Sequence, residues 1–283
     1  MLRMKRKNIS MQLIIFVVLC VCCCLVTPIW LTSTRAAQPP QQPYYVVDAY
    51  QTPGVVYKIV NRKPRVFFRR RSGTITSIAL CRGQLYFCSV NDKRIYQSIG
   101  KGERVVFDHT TYVRDIAVDS YGNLYFSEAS SSRGNGKIYK LTPRTDKLGP
   151  KDRFNLLEKE KPISVYLKNV DGFWAGDFTF DARDNLYLST GDRTPSFIYK
   201  VPKEGGRYCS PKSVYKETKG AIKGIAMEPI NPNLAYYADW GHAIYKLDVR
   251  NLRRSVEFSG NIAKSKNPHL SDIAFDVRIR SKK

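Results

Sequence analysis

One structural unit recurs along most of this 283-residue chain, and this repetition constrains the fold more than any other feature. The unit has an opening strand, a turn with Gly or Asn, a Tyr-rich strand, a short loop and the tripeptide Ile/Val-Tyr-Lys/Gln. Its clearest copy, DIAVDSYGNLYFSEASSSRGNGKIYKL, begins at Asp115, and further copies begin at Ser77, Asp177 and Gly224. Alternating apolar and polar residues, rich in Tyr, Phe, Val and Ile, predict strands here.

Each copy is long enough for four strands. Successive copies are about 40 to 60 residues apart, and four-stranded units of that period are typical of a β-propeller. The sequence therefore predicts an all-β propeller with five blades, and a sixth blade would have to lie in an insertion over residues 148–162. The third strands carry aligned tyrosines: Tyr57, Tyr96, Tyr139, Tyr199 and Tyr245. The fourth strands are predicted to begin at Arg65, Arg104, Ser164, Ser213 and Ser255.

The two ends of the repeat region complement each other. Residues 44–70 supply a second, third and fourth strand without a first, whereas the C-terminal stretch SDIAFDVRIR supplies only a first strand. We therefore expect one blade to be built from both ends of the chain, which closes the ring and removes free sheet edges.

The N-terminal region predicts export. Residues 1–37 combine a basic start, an apolar stretch over residues 13–31 and a small-residue stretch, as in a signal peptide or an N-terminal membrane anchor. Residues 38–43 form a Pro/Gln linker, and residues 44–283 form the propeller domain. The domain is expected to be secreted or extracytoplasmic, with or without a tether through residues 13–31. It has three cysteines, whose pairing is left open: Cys81, Cys88 and Cys209.

The motif DIAVDSYGNLYFSE, from Asp115 to Glu128, and its weaker copies resemble the NHL-repeat and regucalcin/gluconolactonase-like superfamily of β-propellers. The resemblance covers residues 44–278. It implies a propeller fold, most often with six blades. For the lactonases of this group it also implies a metal held at the channel by Glu, Asn and Asp side chains. The early Glu-Gly-Pro motif of those lactonases is absent from this sequence.

Acidic residues recur at one end of the predicted channel. The first and second strands of a blade are antiparallel, so the start of the first and the end of the second meet at the same face, which we call the mouth. The acids at these positions are Asp48, Asp115, Glu128, Asp177, Asp239 and Asp272. Two interpretations are open: the carboxylates accept backbone hydrogen bonds between blades, or they bind a hard cation such as Ca²⁺. The metal ligands would be Asp115, Glu128, Asp239 and Asp272.

Two further side chains are candidates for the mouth. Trp174 lies just before a predicted first strand, and His242 lies in a tight turn between strands. An aromatic ring in that position can stack on a sugar or a peptide, and a histidine can assist acid–base chemistry.

The chain is strongly basic, with 47 Lys and Arg against 24 Asp and Glu and a net charge of +23. The basic residues cluster over 62–71, 250–254 and 278–283. Such clusters favour anionic partners. These could be lipid head groups, acidic extracellular polymers, or proteins and glycans that carry anionic groups. A solvated rim that aids solubility is the alternative. Nucleic acid is not expected as a partner, because the chain is exported and has no recognised reading motif.

Together these features predict an exported, non-enzymatic propeller that binds a partner through loops at one face of the ring. The alternative is a metal-dependent, lactonase-like hydrolase at the channel mouth, with Ca²⁺ as its cofactor.

Overall fold

Strands account for every regular element in the part of the chain that the structure describes. The structure, a computed structural model, describes residues 42–89, 91–108, 112–128, 137–143, 154–156, 177–191, 194–239, 243–260, 262 and 269–278. Trp174 and His242 lie outside these ranges, as do residues 1–37 and most of the linker. Within the ranges, no helix is long and apolar enough to span a bilayer.

The strands follow the repeat along the chain. The first three are β1 (Tyr44–Asp48), β2 (Val55–Val60) and β3 (Lys63–Arg69). The next repeat contains β4 (Ser77–Cys81), β5 (Gln84–Cys88), β6 (Arg94–Ile99) and β7 (Gly102–Asp108). The third contains β8 (Val113–Val118), β9 (Leu124–Glu128), β10 (Lys137–Pro143) and β11 (Phe154–Leu156).

The fourth repeat contains β12 (Phe178–Phe180), β13 (Leu186–Ser189), β14 (Ser196–Val201), a small hairpin of β15 (Lys203–Glu204) and β16 (Arg207–Tyr208), and β17 (Lys212–Glu217). The fifth contains β18 (Ile222–Met227), β19 (Leu234–Asp239), β20 (Ala243–Asp248) and β21 (Arg253–Ser259). The last strand is β22 (Leu270–Val277).

Most of these strands pair into five four-stranded antiparallel groups within the described residues, and a short parallel pairing of β22 with β4 joins two of the groups into one eight-stranded sheet. The order β22-β1-β2-β3 forms blade 1, in which Tyr44 of the first strand lies opposite Phe275 of the last. Blades 2 to 5 are β4-β5-β6-β7, β8-β9-β10-β11, β12-β13-β14-β17 and β18-β19-β20-β21. The predicted all-β propeller class is confirmed, and both ends of the repeat region contribute to one blade.

Blade 3 has β11 as its fourth described strand. β11 pairs with the end of β10 inside the predicted insertion, with Leu156 opposite Leu141. The fourth strand that the sequence predicts from Ser164 lies outside the described residues.

Aromatic pairs between the second and third strands repeat around the ring and explain why the tyrosines align. In three blades the third-strand tyrosine stacks on an aromatic ring of the second strand, with centroids 5.0–5.3 Å apart. Such pairs stabilise beyond their burial alone. The pairs are Phe87–Tyr96, Phe126–Tyr139 and Tyr237–Tyr245.

The five inner strands contact one another in a cycle, β22 to β4, β8, β12 and β18 and back to β22. The junction between β18 and β22 is the tightest, because Gly224 lies directly against Asp272. A Cβ atom on Gly224 would lie 2.5 Å from the Cα of Asp272 and 2.8 Å from its carbonyl carbon. Only glycine therefore allows these two backbones to approach as closely as they do.

We predict that Gly224→Ala destabilises the domain by about 2 kcal/mol or more, because the added methyl group must push two inner strands apart. Gly220→Ala is the matched control, since a Cβ there has no neighbour closer than 4.0 Å, and it should change stability by less than about 0.5 kcal/mol. Chemical unfolding followed by far-UV circular dichroism measures both. Equal stabilities for the two variants would show that the junction is not tight.

Candidate functional site

The side chains near the start of each inner strand lie at the mouth. At three junctions an oxygen of one inner strand accepts a hydrogen bond from a backbone N–H of the next inner strand. The bonds are Ile78 N–H to Asp272 Oδ2 (2.7 Å), Ile116 N–H to Ser77 Oγ (3.0 Å) and Phe178 N–H to Asp115 Oδ2 (2.6 Å). These contacts link blade 1 to blade 2, blade 2 to blade 3 and blade 3 to blade 4.

The remaining junctions use other residues. Between blades 4 and 5, the Ile222 N–H donates to Ser196 Oγ at 3.1 Å, and Ser196 in turn donates to the carbonyl oxygen of Gly191 at 3.0 Å. Between blades 5 and 1 the backbones meet directly at Gly224. Ser196 is on a third strand, and for this reason a search of first-strand starts does not find it.

Burial of the inner acids changes their proton affinities. Burial raises the pKa of Asp115 to about 7, although hydrogen bonds from Ser77 and from the Phe178 amide oppose this shift. The pKa values of Asp177 and Asp272 are also raised, first by burial and then by the nearby charge of Asp115. Burial lowers the pKa of Lys223 to about 8, with the charge of Asp177 acting in the opposite direction. The structure therefore brings three of the six predicted acids close enough to influence one another.

The other three acids act within their own blades. Asp48 Oδ1 accepts from the Tyr50 N–H at 3.0 Å and from the His269 N–H at 3.3 Å. Glu128 Oε2 accepts from the Tyr139 hydroxyl at 2.7 Å. Asp239 Oδ1 accepts from the Ala243 N–H at 3.1 Å, which shapes the turn that follows β19.

Each of the four predicted metal ligands, Asp115, Glu128, Asp239 and Asp272, accepts a hydrogen bond from a backbone amide or a hydroxyl group of the protein. At Asp115 and Asp272 these hydrogen bonds link neighbouring blades, and at Glu128 and Asp239 they lie within one blade. In the described ranges, no group of three or more His, Cys, Asp or Glu side chains is placed to hold a metal ion.

The opposite face, which we call the basal face, carries the basic side chains. First and third strands end there, so it consists of the turns from first to second strand and from third to fourth strand. Lys or Arg occurs in or beside most of these turns. The basal cations are Arg62, Lys63, Arg82, Lys101, Arg183, Lys203, Arg207, Arg250 and Arg253.

Few of these cations have a carboxylate partner within the part of the chain that the structure describes. Between described residues the basal cations form two ion pairs, both long: Arg62 with Glu257 at 3.7 Å and Arg250 with Asp248 at 3.6 Å. Arg62 lies on blade 1 and Glu257 on blade 5, so the basic turns of these two blades are neighbours, as the sequence indicates. The basal cations are therefore mostly available to an external anion.

Two acids of the basal face are occupied by the turns themselves. Asp119 accepts from the amides of Tyr121 and Asn123, and Asp184 accepts from Ser120 of the neighbouring blade. Asp119 and Asp184 are almost fully buried. These two carboxylates therefore give little screening to the exposed cations around them, whereas the exposed Glu204 lies opposite Arg207 in the β15–β16 hairpin.

Three basal turns place an unusual residue in the left-handed region. Arg62 has φ 61°, Arg82 has φ 51° and Leu252 has φ 59°. Glycine and asparagine adopt this conformation at low cost, whereas other residues are disfavoured by about 1 kcal/mol. These side chains are thus held at turn tips where glycine or asparagine would be more stable.

Like charges also face one another across strands. In blade 1, Lys58 lies directly opposite Arg65 and its Nζ atom is 5.6 Å from the centroid of the Tyr45 ring. In blade 4, Lys200 lies opposite Lys212. Directly opposed like charges destabilise a sheet unless an anion lies nearby.

Not every arginine of the basic clusters is available for binding. Arg70 is only 7% exposed and forms ion pairs with Asp92 (2.9 Å) and Glu103 (3.2 Å). Its guanidinium also lies 4.4 Å from the centroid of the Tyr96 ring. Arg254 has the same role on blade 5, against Glu217. These two arginines connect structural elements, a distinction that composition does not show.

The cysteines of the domain are unpaired. Cys81 and Cys88 are buried, and burial raises the pKa of the Cys81 thiol to about 11 and that of Cys88 also upward. Both thiols therefore stay protonated near neutral pH and behave as small core side chains.

No protein-family model matches the sequence, and no curated protein matches it. Several solved structures are similar in fold. The nidogen/laminin complex structure is 13% identical (TM-score 0.48), with coverage of 82% of this chain and 97% of that chain. The PQQ-bound aldose sugar dehydrogenase from Streptomyces coelicolor is 12% identical (TM-score 0.44), with coverage of 83% and 90%. A gluconolactonase from Xanthomonas campestris is 12% identical (TM-score 0.42), with coverage of 78% and 75%.

These similarities are limited to the fold, and they do not assign a function to this chain. The fold assignment itself rests on the strand order described above.

The raised pKa of Asp115 predicts that stability falls as pH rises. The folded state holds this proton up to about pH 7, whereas an unfolded aspartate releases it near pH 4. Between these values the folded state binds more protons, so the free energy of unfolding decreases with increasing pH, by about 2 kcal/mol from pH 5 to pH 8.

Asp115→Asn removes this titration while it keeps an acceptor for the Phe178 amide, so its stability should depend less on pH than that of the parent chain. Asp108→Asn, at an exposed carboxylate, is the control and should retain the parent slope. Thermal unfolding over this pH range measures the three slopes. Equal slopes for Asp115→Asn and the parent would contradict the prediction.

Proposed function

We propose that this chain is an exported, non-enzymatic propeller that binds an anionic partner through the basal face. The observation that supports this most strongly is the set of exposed cations on the basal turns, which have few carboxylate partners among the described residues. A dense field of one sign attracts oppositely charged ligands and speeds their association. Export is inferred from residues 1–37.

The mouth is the less favoured surface for this function. Its predicted acids accept hydrogen bonds from neighbouring blades or from local turns. A Ca²⁺ ion would have to compete with these donors for the same oxygens. For this reason we favour the basal face over the alternative, a lactonase-like hydrolase at the mouth. Stoichiometric Ca²⁺ in the purified chain would reverse this preference.

Removal of basal cations should weaken binding to a soluble polyanion. We expect a fourfold basal variant to bind dextran sulfate about tenfold more weakly or worse, because each exposed charge adds a few tenths to one kcal/mol. Asparagine is used at position 62 because it tolerates positive φ. The substitutions are Arg62→Asn, Lys63→Gln, Arg250→Gln and Arg253→Gln.

The matched control removes the same charge from the mouth side. Its substitutions are Arg69→Gln, Lys93→Gln, Arg94→Gln and Lys219→Gln, of which Arg69 is exposed at the mouth end of β3. Isothermal titration at low ionic strength compares the two variants with the parent chain. The proposal predicts a large loss for the basal variant and a small one for the control. An equal loss would mean that net charge alone drives binding, and would overturn the assignment to the basal face.

A further inference from the structure

Exposed apolar side chains project from the same basal turns that carry the cations. Ile99 at the end of β6 is 49% exposed, Tyr121 in the β8–β9 turn is 45% exposed, Ile230 in the β18–β19 turn is 79% exposed and Leu252 in the β20–β21 turn is 54% exposed. They come from four different turns, all at the basal end of their blades. Five further exposed apolar side chains lie elsewhere: Tyr50 and Tyr112 on the mouth side, and Val66, Phe67 and Val256 on fourth strands. Single exposed apolar residues are common, so the basal tips matter here only where cations lie beside them.

Each of two tips has cations beside it in the sequence. Leu252 lies between Arg250 and Arg253, and Ile99 is followed closely by Lys101. An apolar tip flanked by cations suits the boundary of a bilayer, where the tip enters the acyl region and the cations stay with the phosphate groups.

The connection to the N-terminal segment also lies on this face. Tyr44 begins β1, the second strand of blade 1, and second strands begin at the basal end. The chain that precedes Tyr44 is therefore joined to the domain at this end of blade 1.

We infer that the basal face docks on the surface of an anionic lipid bilayer. This inference rests on the proposed function, since it names the anionic partner. Near an anionic surface, each Lys or Arg adds about fivefold to the affinity, and the apolar tips add a contribution that salt does not screen. A second copy of this chain fits less well, because two basic faces repel one another.

The experiment uses the full-length chain reconstituted into vesicles of phosphatidylcholine, with or without phosphatidylglycerol. Lysine acylation followed by mass spectrometry reports which amines are covered. In the anionic vesicles, the acylation rates of Lys63 and Lys101 on the basal face should fall to about one third or below. Lys93 and Lys219 on the mouth side serve as internal controls and should react equally in both.

A variant with Ile230→Ser and Leu252→Ser tests the apolar tips. Both side chains are exposed, so the fold should be retained, and the remaining protection of Lys63 should become more sensitive to salt. Equal reactivity of Lys63 and Lys101 in the two kinds of vesicle would overturn the membrane inference. In that case, retained binding of dextran sulfate at the basal face would leave the proposed function standing, with a soluble polyanion as partner. Absence of dextran sulfate binding as well as of lipid protection would reject both the proposed function and the membrane inference.

Discussion

The hydrogen bonds between inner strands are the interaction on which this structure depends. Within a blade, neighbouring strands satisfy one another through regular ladders, but inner strands of different blades mostly do not pair in this way. A buried N–H group without an acceptor costs about 1–3 kcal/mol. Asp272, Ser77, Asp115 and Ser196 supply the missing acceptors at four junctions, and Gly224 lets the fifth close by direct backbone approach.

This role explains two of the acids that recur in the sequence, Asp115 and Asp272. A carboxylate can accept from several donors at once, as Asp115 does from Ser77 and the Phe178 amide. Its burial beside Asp177 and Asp272 raises the pKa values of all three, which is the electrostatic cost of placing acids together at the mouth. The two ends of the ring therefore differ: the acids at the mouth are engaged by the protein, whereas the basal cations are mostly exposed.

Much of the fold can be predicted from the sequence because the repeat marks equivalent positions. The aligned tyrosines all lie in third strands, and Asp115 and Asp272 lie on inner strands at the mouth. The strand β11 was missed because it carries no copy of the motif. The role of Ser196 was missed because it acts from a third strand. Arg70 and Arg62 look alike in the sequence, and only tertiary contacts show that Arg70 is paired with Asp92 and Glu103.

The most direct test of this account is hydrogen–deuterium exchange of the chain with and without bound dextran sulfate. The account predicts slower exchange on binding in the peptides that cover basal turns, around residues 61–63, 82–83, 99–101 and 250–253. It predicts no change around Ile78, Ile116 and Phe178, whose amides are already bonded to the neighbouring blade. Protection confined to the mouth peptides, with the basal turns unchanged, would contradict it.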